Sequence, residues 1–351
     1  MAATMVSASL NNKFSKRKRV LLLVVSIVFL VVVVFVSLFV VYTFTVNGGG
    51  GGVSLEGGVF VGSEGELEAA VVDAGLVGGG GSTVVVVLTR DVFLSGPLVV
   101  GEGCNVTLTS SGGRFGGGFF RLVGAKERYT VVVEDGGWLC VDGVVITHNK
   151  STVPWGGGGV LVWGGGEFVL VRGKISDNGY VHYPPSPMGG GVKNMGVFRM
   201  FGGEISNNKA EYVLYHQQQA YGVEGEGGGV YNGGVFEMFG GSIINNVAGK
   251  CGGGVCNEGE FTMYDGLIIN NKTVGKPHLT PDCGGGVFNY GVGSFVMFGG
   301  LISVNRASMG GGVYSVGRGG VVFEGVVVFN LGSGWKGYNV CVVDKDGNVV
   351  G

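Results

Sequence analysis

A 20-residue unit recurs through the second half of this sequence, and residues 227–246, GGGVYNGGVFEMFGGSIINN, are one clear copy. Close copies begin at Gly189, Gly252 and Gly284, and looser copies begin at Gly157 and Gly310. The period follows no helical phase and belongs to a chain with 76 Gly and only 7 Pro. This combination predicts a stack of β-coils.

Side-chain alternation within the unit predicts what fills the inside of the stack. Phe236 and Met238 should point inward while Glu237 and Phe239 point outward, because successive residues of a strand face opposite sides. Val230 and Ile243 extend the inward set, and the Phe/Met pair recurs as Phe198/Met200, Phe261/Met263 and Phe295/Met297. Glycines turn the chain between three short strands, so coils stacked about 4.8 Å apart would form three parallel sheets.

Asparagines recur where each coil turns. Asn208, Asn246, Asn271 and Asn305 hold the same place in successive units. Asn tolerates left-handed backbone and can hydrogen-bond to the equivalent residue of the next coil, so these four are predicted as structural turn residues. Asn105, Asn149 and Asn271 also lie in glycosylation sequons, whose use the sequence leaves open.

The N-terminal part carries an apolar run over residues 20–46, longer than the ~20 residues that a membrane helix needs. Basic residues stand before the run at Lys13, Lys16, Arg17, Lys18 and Arg19, and none follows it before Arg90. This asymmetry predicts a cytoplasmic tail over 1–19, a transmembrane signal anchor over 20–46 and a Gly-rich tether over 47–58. A cleaved signal peptide is the alternative, but its apolar segment would be only roughly 7 to 15 residues long.

The composition describes a chain that buries apolar surface, with 45% hydrophobic and 14% charged residues. It has 23 Lys and Arg, the N-terminal basic cluster included, against 25 Asp and Glu. The part beyond the anchor is therefore acidic and has no basic stripe. We expect no nucleic-acid partner.

Residues 63–74 predict one short helix at the start of the β-helix domain, which we expect to cover residues 59–351. Ser63 and Glu66 fit a capping box, and Gly75 follows as a stop signal. Leu67, Ala70, Val71 and Ala74 lie on one helical face. Short Val-rich segments separated by Gly, Pro, Asn or Ser begin at Val84 and predict strands.

These features resemble right-handed parallel β-helix proteins of the pectin-lyase-like superfamily. More narrowly, the chain is similar to the repeats of bacterial adhesin-like and polymorphic outer-membrane proteins. Their GGA(I/L) and FxxN motifs match Gly228–Tyr231 and Ile243–Asn246. The resemblance implies an all-β, right-handed parallel β-helix with three short strands per coil over roughly residues 60 to 330. It implies little about function, because this fold hosts lyases, hydrolases, isomerases and inert stalks.

Catalysis on this scaffold would need acidic residues on adjacent coils with a Lys or Arg nearby. Glu204 stands opposite Ser242, Leu267 and Leu301, so no carboxylate row repeats. Arg172 and Lys174 with Asp177 form an isolated polar patch. We therefore predict no catalytic residue and no cofactor.

The cysteines suggest a disulfide rather than a metal site. Cys251 and Cys283 each immediately precede a GGGV, so they hold the same place on neighbouring coils at a separation that a disulfide accepts. Cys256 is a competing partner, and Cys140 is expected in the core. No CxxC is present, so no metal is predicted.

Three insertions interrupt the repeat at 180–188, 211–226 and 273–282, and all leave from one edge of the stack after the Asn turn. Aromatic and amide side chains on loops of a rigid scaffold are typical of sugar or protein recognition. The ligand-binding candidates are Tyr180, His182, Tyr183, Tyr212, Tyr215, His216, Gln218, Tyr221 and His278. The alternative is that tolerated insertions collect at one edge and are polar because they are exposed.

Together these features predict a single-pass membrane protein with a cytoplasmic N-terminus and an external β-helix. We expect an adhesin-like or structural stalk that binds glycan or protein through the insertion edge and the bilayer through 20–46. The alternative is a carbohydrate-active enzyme, a polysaccharide lyase or hydrolase of the same fold. A third interpretation is a filament unit that self-associates through the C-terminal end of the stack.

Overall fold

The computed structural model of the chain describes residues 57–77, 83–112, 118–125, 128–148, 157–180, 187–216, 219–275, 282–323 and 340–343. The predicted tail 1–19, the predicted anchor 20–46 and most of the tether 47–58 lie outside these residues. Within the described residues, no helix is both long enough and apolar enough to cross a membrane.

Short strands make up nearly all of the regular secondary structure in the described chain. The first coils contain β1 (Val59–Val61), α1 (Glu64–Val77), β2 (Val84–Leu88), β3 (Val92–Phe93), β4 (Leu98–Val100), β5 (Asn105–Ser110), β6 (Arg121–Gly124), β7 (Val131–Val133), β8 (Trp138–His148), β9 (Val160–Val162) and β10 (Glu167–Ser176). The next coils contain β11 (Gly179–Tyr180), β12 (Val192–Asn194), β13 (Val197–Met200), β14 (Glu204–Ser206), β15 (Lys209–Ala210), β16 (Tyr212–His216) and β17 (Gln219–Glu224).

The later coils continue the same order of strands. They contain β18 (Val230–Asn232), β19 (Val235–Met238), β20 (Ser242–Ile244), β21 (Val247–Ala248), β22 (Val255–Asn257), β23 (Glu260–Met263), β24 (Leu267–Ile269) and β25 (Lys272–Thr273). The last are β26 (Val287–Gly291), β27 (Ser294–Met297), β28 (Leu301–Ser303), β29 (Val313–Gly317), β30 (Val321–Phe323) and β31 (Val340–Val343). The protein is therefore all-β apart from one short helix among the described residues.

The strands stack in parallel, coil upon coil. One large sheet runs β1-β2-β5-β8-β10-β13-β19-β23-β27-β30 and carries the side branch β14-β20-β24-β28. A second sheet runs from β4 to β31, and a third joins β11, β15, β21 and β25. Equivalent residues of the repeat pair directly, as Phe198 does with Phe236 and Phe236 with Phe261. The described chain is a solenoid-like repeat of parallel β-coils, as the 20-residue period predicted.

The coils that begin at Gly189, Gly227 and Gly252 have four strands each rather than the predicted three. In the coil that begins at Gly227, these are β18, β19, β20 and β21. The fourth strand is only Val247–Ala248, which pairs with β15 and β25 on the neighbouring coils. Two residues are too short a stretch to show side-chain alternation, so the sequence pattern gave no signal for this strand.

The predicted inward residues form the core. Phe168, Phe198, Phe236, Phe261 and Phe295 are buried and stack in one column, with ring centroids 5.1, 4.7, 4.7 and 4.8 Å apart. Met200, Met238, Met263 and Met297 form a parallel column that is also buried. Burying one Phe side chain contributes about 1.5–3 kcal/mol, and stacking adds about 0.5–1.5 kcal/mol.

Helix α1 covers one side of the first coils and packs against β1, β2, β4 and β5. The amide of Glu66 donates to Ser63 Oγ at 3.4 Å, and Glu66 Oε2 accepts from the amide of Gly62 at 2.8 Å. This reciprocal arrangement is the predicted capping box. The predicted apolar face, Leu67, Ala70, Val71 and Ala74, is buried.

The predicted asparagines form a buried ladder along the stack. Side-chain amides donate from Asn178 to Asn208, on to Asn246, Asn271 and Asn305, over 3.0, 3.0, 2.9 and 3.0 Å. The left-handed backbone falls one residue earlier than predicted, at Asp177, Asn207, Asn245, Asn270 and Val304. The earlier residue turns the chain, so the ladder asparagine can point inward and bond to the next coil.

His148 stands at the head of this ladder and is buried. Its Nδ1 lies 2.8 Å from Asn178 Oδ1, and its Nε2 lies 2.9 Å from the carbonyl oxygen of Arg128. His148 therefore takes the place that Asn occupies in later coils.

A second ladder was not predicted. Asn194, Asn232 and Asn257 each donate Nδ2 to the next coil's Oδ1 at 2.7 Å, and the row continues through Asn289 to Ser315 Oγ at 3.1 Å. These residues stand two positions after the first Val of each coil, so the repeat period was enough to identify them as one row. Two polar ladders on different sides of the core keep successive coils in register.

Candidate functional site

The insertions leave and rejoin the stack at one corner. Each leaves after a strand of the sheet β11-β15-β21-β25, whose members pair directly. Each returns at a residue of a second column, in which Met188, Glu226, Cys251, Cys283 and Met309 form successive parallel bridges. We call the space between these two columns the insertion corner. The register of the stacked coils therefore places the start and the end of every insertion at one edge.

Coils differ in how much chain crosses this corner. Between β21 and Cys251 only Gly249 and Lys250 cross it. In the preceding coil the crossing contains an antiparallel hairpin, β16 with β17, in which Tyr212 pairs with Glu224 and His216 with Gln219. This is the only antiparallel pair among the described strands. A two-stranded hairpin on one coil therefore lies next to a coil whose crossing has only two residues.

The hairpin contains four of the predicted ligand-binding residues. Tyr212, Tyr215 and His216 lie on β16, and Tyr221 lies on β17. Tyr180 is the last residue of β11 and pairs with Ala210 at the base of the same corner. His182, Tyr183, Gln218 and His278 lie outside the described residues.

The floor of the corner holds charged residues that sequence reasoning did not select. The Lys250 Nζ atom lies 3.6 Å from Glu224 Oε2, and the Lys250 amide donates to the carbonyl oxygen of Gly225 at 2.8 Å. Tyr231, almost fully buried, donates its hydroxyl to Glu258 Oε2 at 2.5 Å. We call Glu224, Glu226, Tyr231, Lys250 and Glu258 the corner cluster.

The corner cluster has unusual electrostatics. Burial raises the pKa of the Glu226 carboxyl; the Lys250 ammonium opposes that rise, and the Glu258 and Glu224 carboxylates add to it. Burial works against the charge of Lys250, but Glu224 and Glu226 outweigh it and raise the pKa of its ammonium. Burial and the bond to Glu258 raise the pKa of Tyr231. A half-buried acid beside a permanent cation can bind or protonate a polar ligand.

The sequence did contain a signal for Glu226. It holds the position immediately before the glycine run, the same column that made Cys251 and Cys283 conspicuous. It is the charged member of a column that otherwise holds Met and Cys. Glu258 also lies inside the repeat, directly after Asn257, and stands where the preceding coil has Gly233. Lys250 could not be placed in this way, because the lengths of the crossings differ between coils.

Three thiols lie behind the corner cluster. Cys251, Cys256 and Cys283 are buried and pack with Tyr231 and Phe288, and partly buried Met188 and Met309 pack against them. Cys251 and Cys283 pair across neighbouring coils and share a hydrogen bond, and both are in the thiol form in this structure. The hydrogen bond and burial raise the pKa of Cys251, and burial raises that of Cys256. The Cys251–Cys283 disulfide stays a prediction.

The remaining polar candidates are held in ion pairs. Arg172 binds the buried Asp142 of the preceding coil, with its Nε 2.5 Å from Oδ1, and Lys174 Nζ lies 3.3 Å from Glu204 of the following coil. Arg199 bridges Glu167 and Glu237. Among the described residues, no group of His, Cys, Asp or Glu is arranged to hold a metal ion.

The sequons differ in exposure. Asn271 is fully buried, and its Nδ2 is committed to Asn305 and to the carbonyl oxygen of Ile243. Asn105 lies half-exposed on β5, and Asn149 lies outside the described residues. Comparison with protein families, with curated proteins and with solved structures finds no match to this chain.

Proposed function

We propose that this chain is a membrane-anchored, right-handed parallel β-helix of the pectin-lyase-like kind, exposed outside the cytoplasm. In this proposal it acts as an adhesin-like or structural stalk and contacts glycan or protein through the insertion corner. The observation that carries the proposal is the pair of columns that bring every insertion to that corner. Segment 20–46 supplies the anchor, and its basic flank sets the orientation.

Two features support recognition at the corner rather than elsewhere on the stack. All three insertions meet at this one corner, whereas the rest of each regular coil follows the repeat without interruption. The insertion corner combines the hairpin β16–β17 with the corner cluster, which holds three carboxylates and one ammonium beside the buried phenol of Tyr231. Polar groups on a rigid scaffold can select a sugar or a peptide by hydrogen bonding.

Adhesion of cells that display the full chain tests this function. Alanine at Tyr183, Tyr215 and His216 together should abolish adhesion and binding to a glycan array. The matched control is alanine at Trp163 and Val292, which are 49% and 80% exposed and lie away from the corner. Undiminished adhesion of the triple variant would rule out the corner as the contact surface.

The alternative of a carbohydrate-active enzyme draws support from one observation, the raised pKa of Glu226 beside Lys250. A carboxyl whose pKa is raised by burial holds its proton to a higher pH than an ordinary glutamate, and this suits it to general acid catalysis. The assay is release of unsaturated or reducing sugars from a panel of polyuronates. Release that disappears in Glu226→Gln and persists in Glu204→Gln would favour the enzyme over the stalk.

Self-association through the C-terminal end is the third interpretation. β31 pairs with β29 alone among the described strands, so the described part of that sheet ends there. Strand edges of this kind pair readily with further strands. Sedimentation of the full chain in detergent would reveal end-to-end polymers as a ladder of sizes.

A further inference from the structure

A row of aromatic rings runs along the outside of the large sheet. Phe201, Phe239, Tyr264 and Phe298 are half-buried and stack with centroids 4.8, 4.7 and 5.3 Å apart. The rings are within 15° of parallel. We call these four residues the outer ridge. From this geometry we infer that the outer ridge is the interface at which two copies of the chain pair side by side and in parallel.

The stacking geometry makes the ridge unsuited to sugars. Each inner ring has both faces covered by its neighbours in the stack, so edges are what the ridge presents to a partner. A pyranose packs against a ring face, whereas a second ridge with the same spacing can interdigitate with exposed edges. A copy of this chain offers that spacing, because the coil separation sets it in both molecules.

Two rows of outward side chains flank the ridge. On one side, in order of coils, stand Val169, Arg199, Glu237, Thr262 and Val296. On the other side stand Lys174, Glu204, Ser242, Leu267 and Leu301. Four of the five coils that supply these rows also supply a ridge residue, and the coil of Val169 and Lys174 has Val171 at that position. The row and ridge residues of one coil lie at the same height along the stack.

A two-fold axis parallel to the stack exchanges the two flanking rows. It places Arg199 opposite Glu204 of the second copy, and Glu237 opposite Ser242. Thr262 then faces Leu267, and Val296 faces Leu301. Opposite charges meet at Arg199, whose guanidinium also pairs with Glu167 and Glu237 of its own chain. An acid meets a hydroxyl at Glu237, Thr262 and Val296 meet leucines, and Lys174 meets Val169, so the pairing leaves no like charges in contact.

An antiparallel pairing in which the four rings of one copy meet the four rings of the other gives poorer charge complementarity. It would bring each row against itself in reverse order, with Arg199 facing Val296 and Glu204 facing Leu301. Both charged residues would lose water without gaining a partner across the interface, which is costly. In the register that superposes all four rings, the charge pattern therefore favours the parallel arrangement.

One coil departs from the ridge pattern in two adjacent residues at once. Tyr264 replaces the Phe of the other coils, and exposed Asp265 replaces the Gly found at 202, 240 and 299. In the parallel pair, the ridge position of one copy lies beside the glycine position of the other. The Tyr264 hydroxyl of one copy then comes beside Asp265 of the other, whose Oδ1 also accepts from the Gly266 amide of its own turn at 2.7 Å.

Disulfide trapping between two differently tagged full-length copies tests the pairing in detergent. One copy carries Glu237→Cys and the other Ser242→Cys, both on a Cys341→Ser background; the other five cysteines are buried in the structure. We expect a heterodimeric cross-link. The matched control pairs Glu237→Cys with Leu301→Cys, which lies two coils away in the same row and should react weakly. A dominant cross-link between Glu237→Cys and Thr262→Cys would instead show the antiparallel pair and overturn the inference.

A ridge substitution gives an independent measurement. Phe239→Glu should raise the dimer dissociation constant by at least about tenfold, because it puts a charge among the packed rings. Phe239→Tyr should preserve pairing, as Tyr264 shows that the ridge accepts a hydroxyl. Val292→Glu, at a residue that is 80% exposed and away from the ridge, is the charge control. Unchanged dimerisation of Phe239→Glu, with a circular dichroism spectrum like that of the natural chain, would refute the interface.

Discussion

The Asn246 side chain donates from Nδ2 to Asn271 Oδ1 at 2.9 Å, and the Asn246 amide donates to the same oxygen at 2.9 Å. One carboxamide oxygen thus satisfies two donors of the preceding coil. The same pair of bonds joins Asn208 to Asn246. Each ladder residue is therefore both the acceptor for one coil and the donor to the next.

Removing one ladder member should destabilise two coils. Asn246→Ala leaves the amide and Nδ2 of Asn208 without their acceptor in a fully buried place. The expected loss is on the order of 2–4 kcal/mol in the free energy of unfolding, since each unmet buried group costs about 1–3 kcal/mol. Chemical denaturation followed by circular dichroism measures it. Lys209→Ala, at an exposed neighbour, is the control and should change little.

Val304 carries a strained backbone that can be relieved. Its φ is 56°, in the left-handed region, where the preceding coil has Asn270 at 55°. A β-branched residue is disfavoured there, whereas Asn and Gly are tolerated. Val304→Asn should stabilise the chain by about 1 kcal/mol.

The reverse substitution is the matched test of this explanation. Asn270→Val places the β-branched side chain in the same conformation one coil earlier and also removes the bond from Asn270 Nδ2 to Asn245 Oδ1, so it should destabilise by at least as much. Equal stability of both variants and the natural chain would mean that the turn relaxes. Thermal unfolding of the three proteins side by side decides between these outcomes.

Much of the fold could be predicted because equivalent positions in successive coils carry similar side chains. Phe236 and Met238 alternate with Glu237 and Phe239, and that alternation alone assigns the core column. The insertion edge was also accessible, since insertions interrupt a visible period. Right-handed coiling and membership of the pectin-lyase-like superfamily stay predictions.

Other features depend on contacts that one coil does not reveal. His148 replaces an Asn at the head of the ladder, and no repeat pattern equates those two residues. The corner cluster is equally hidden, because Lys250 and Glu224 are brought together by a crossing of two residues beside one that contains a hairpin. The outer ridge was visible as outward Phe239, but its continuity with Tyr264 required the register.

The raised pKa of Glu226 predicts a pH-dependent effect on stability. A carboxyl with a higher pKa in the folded than in the unfolded state binds more protons when folded, so its contribution is fully present at pH below the unfolded value and is lost as pH rises through the folded value. Glu226→Gln should therefore stabilise the chain relative to the natural protein at pH 8, and this advantage should shrink as the pH is lowered to about 4.

The control for this prediction is a carboxyl outside the corner cluster. Glu204→Gln, in an exposed ion pair with Lys174, should give no such gain at pH 8. Denaturation midpoints of the three proteins across the pH range provide the comparison. A gain from Glu226→Gln that is the same at pH 4 and pH 8 would show that its origin is packing and not charge.

Cys251 and Cys283 provide the last prediction. Their positions on neighbouring coils allow a disulfide, while burial and their mutual hydrogen bond raise the pKa of Cys251 and make the folded thiols slow to react. Oxidation should therefore occur as the chain folds in an oxidising compartment, and chains folded under reducing conditions should stay reduced when oxidant is added later. Peptide mapping without reductant should find Cys251 joined to Cys283 in the first case, and Cys256→Ser should leave that link intact. A Cys251 or Cys283 link to Cys256 would identify the competing partner instead.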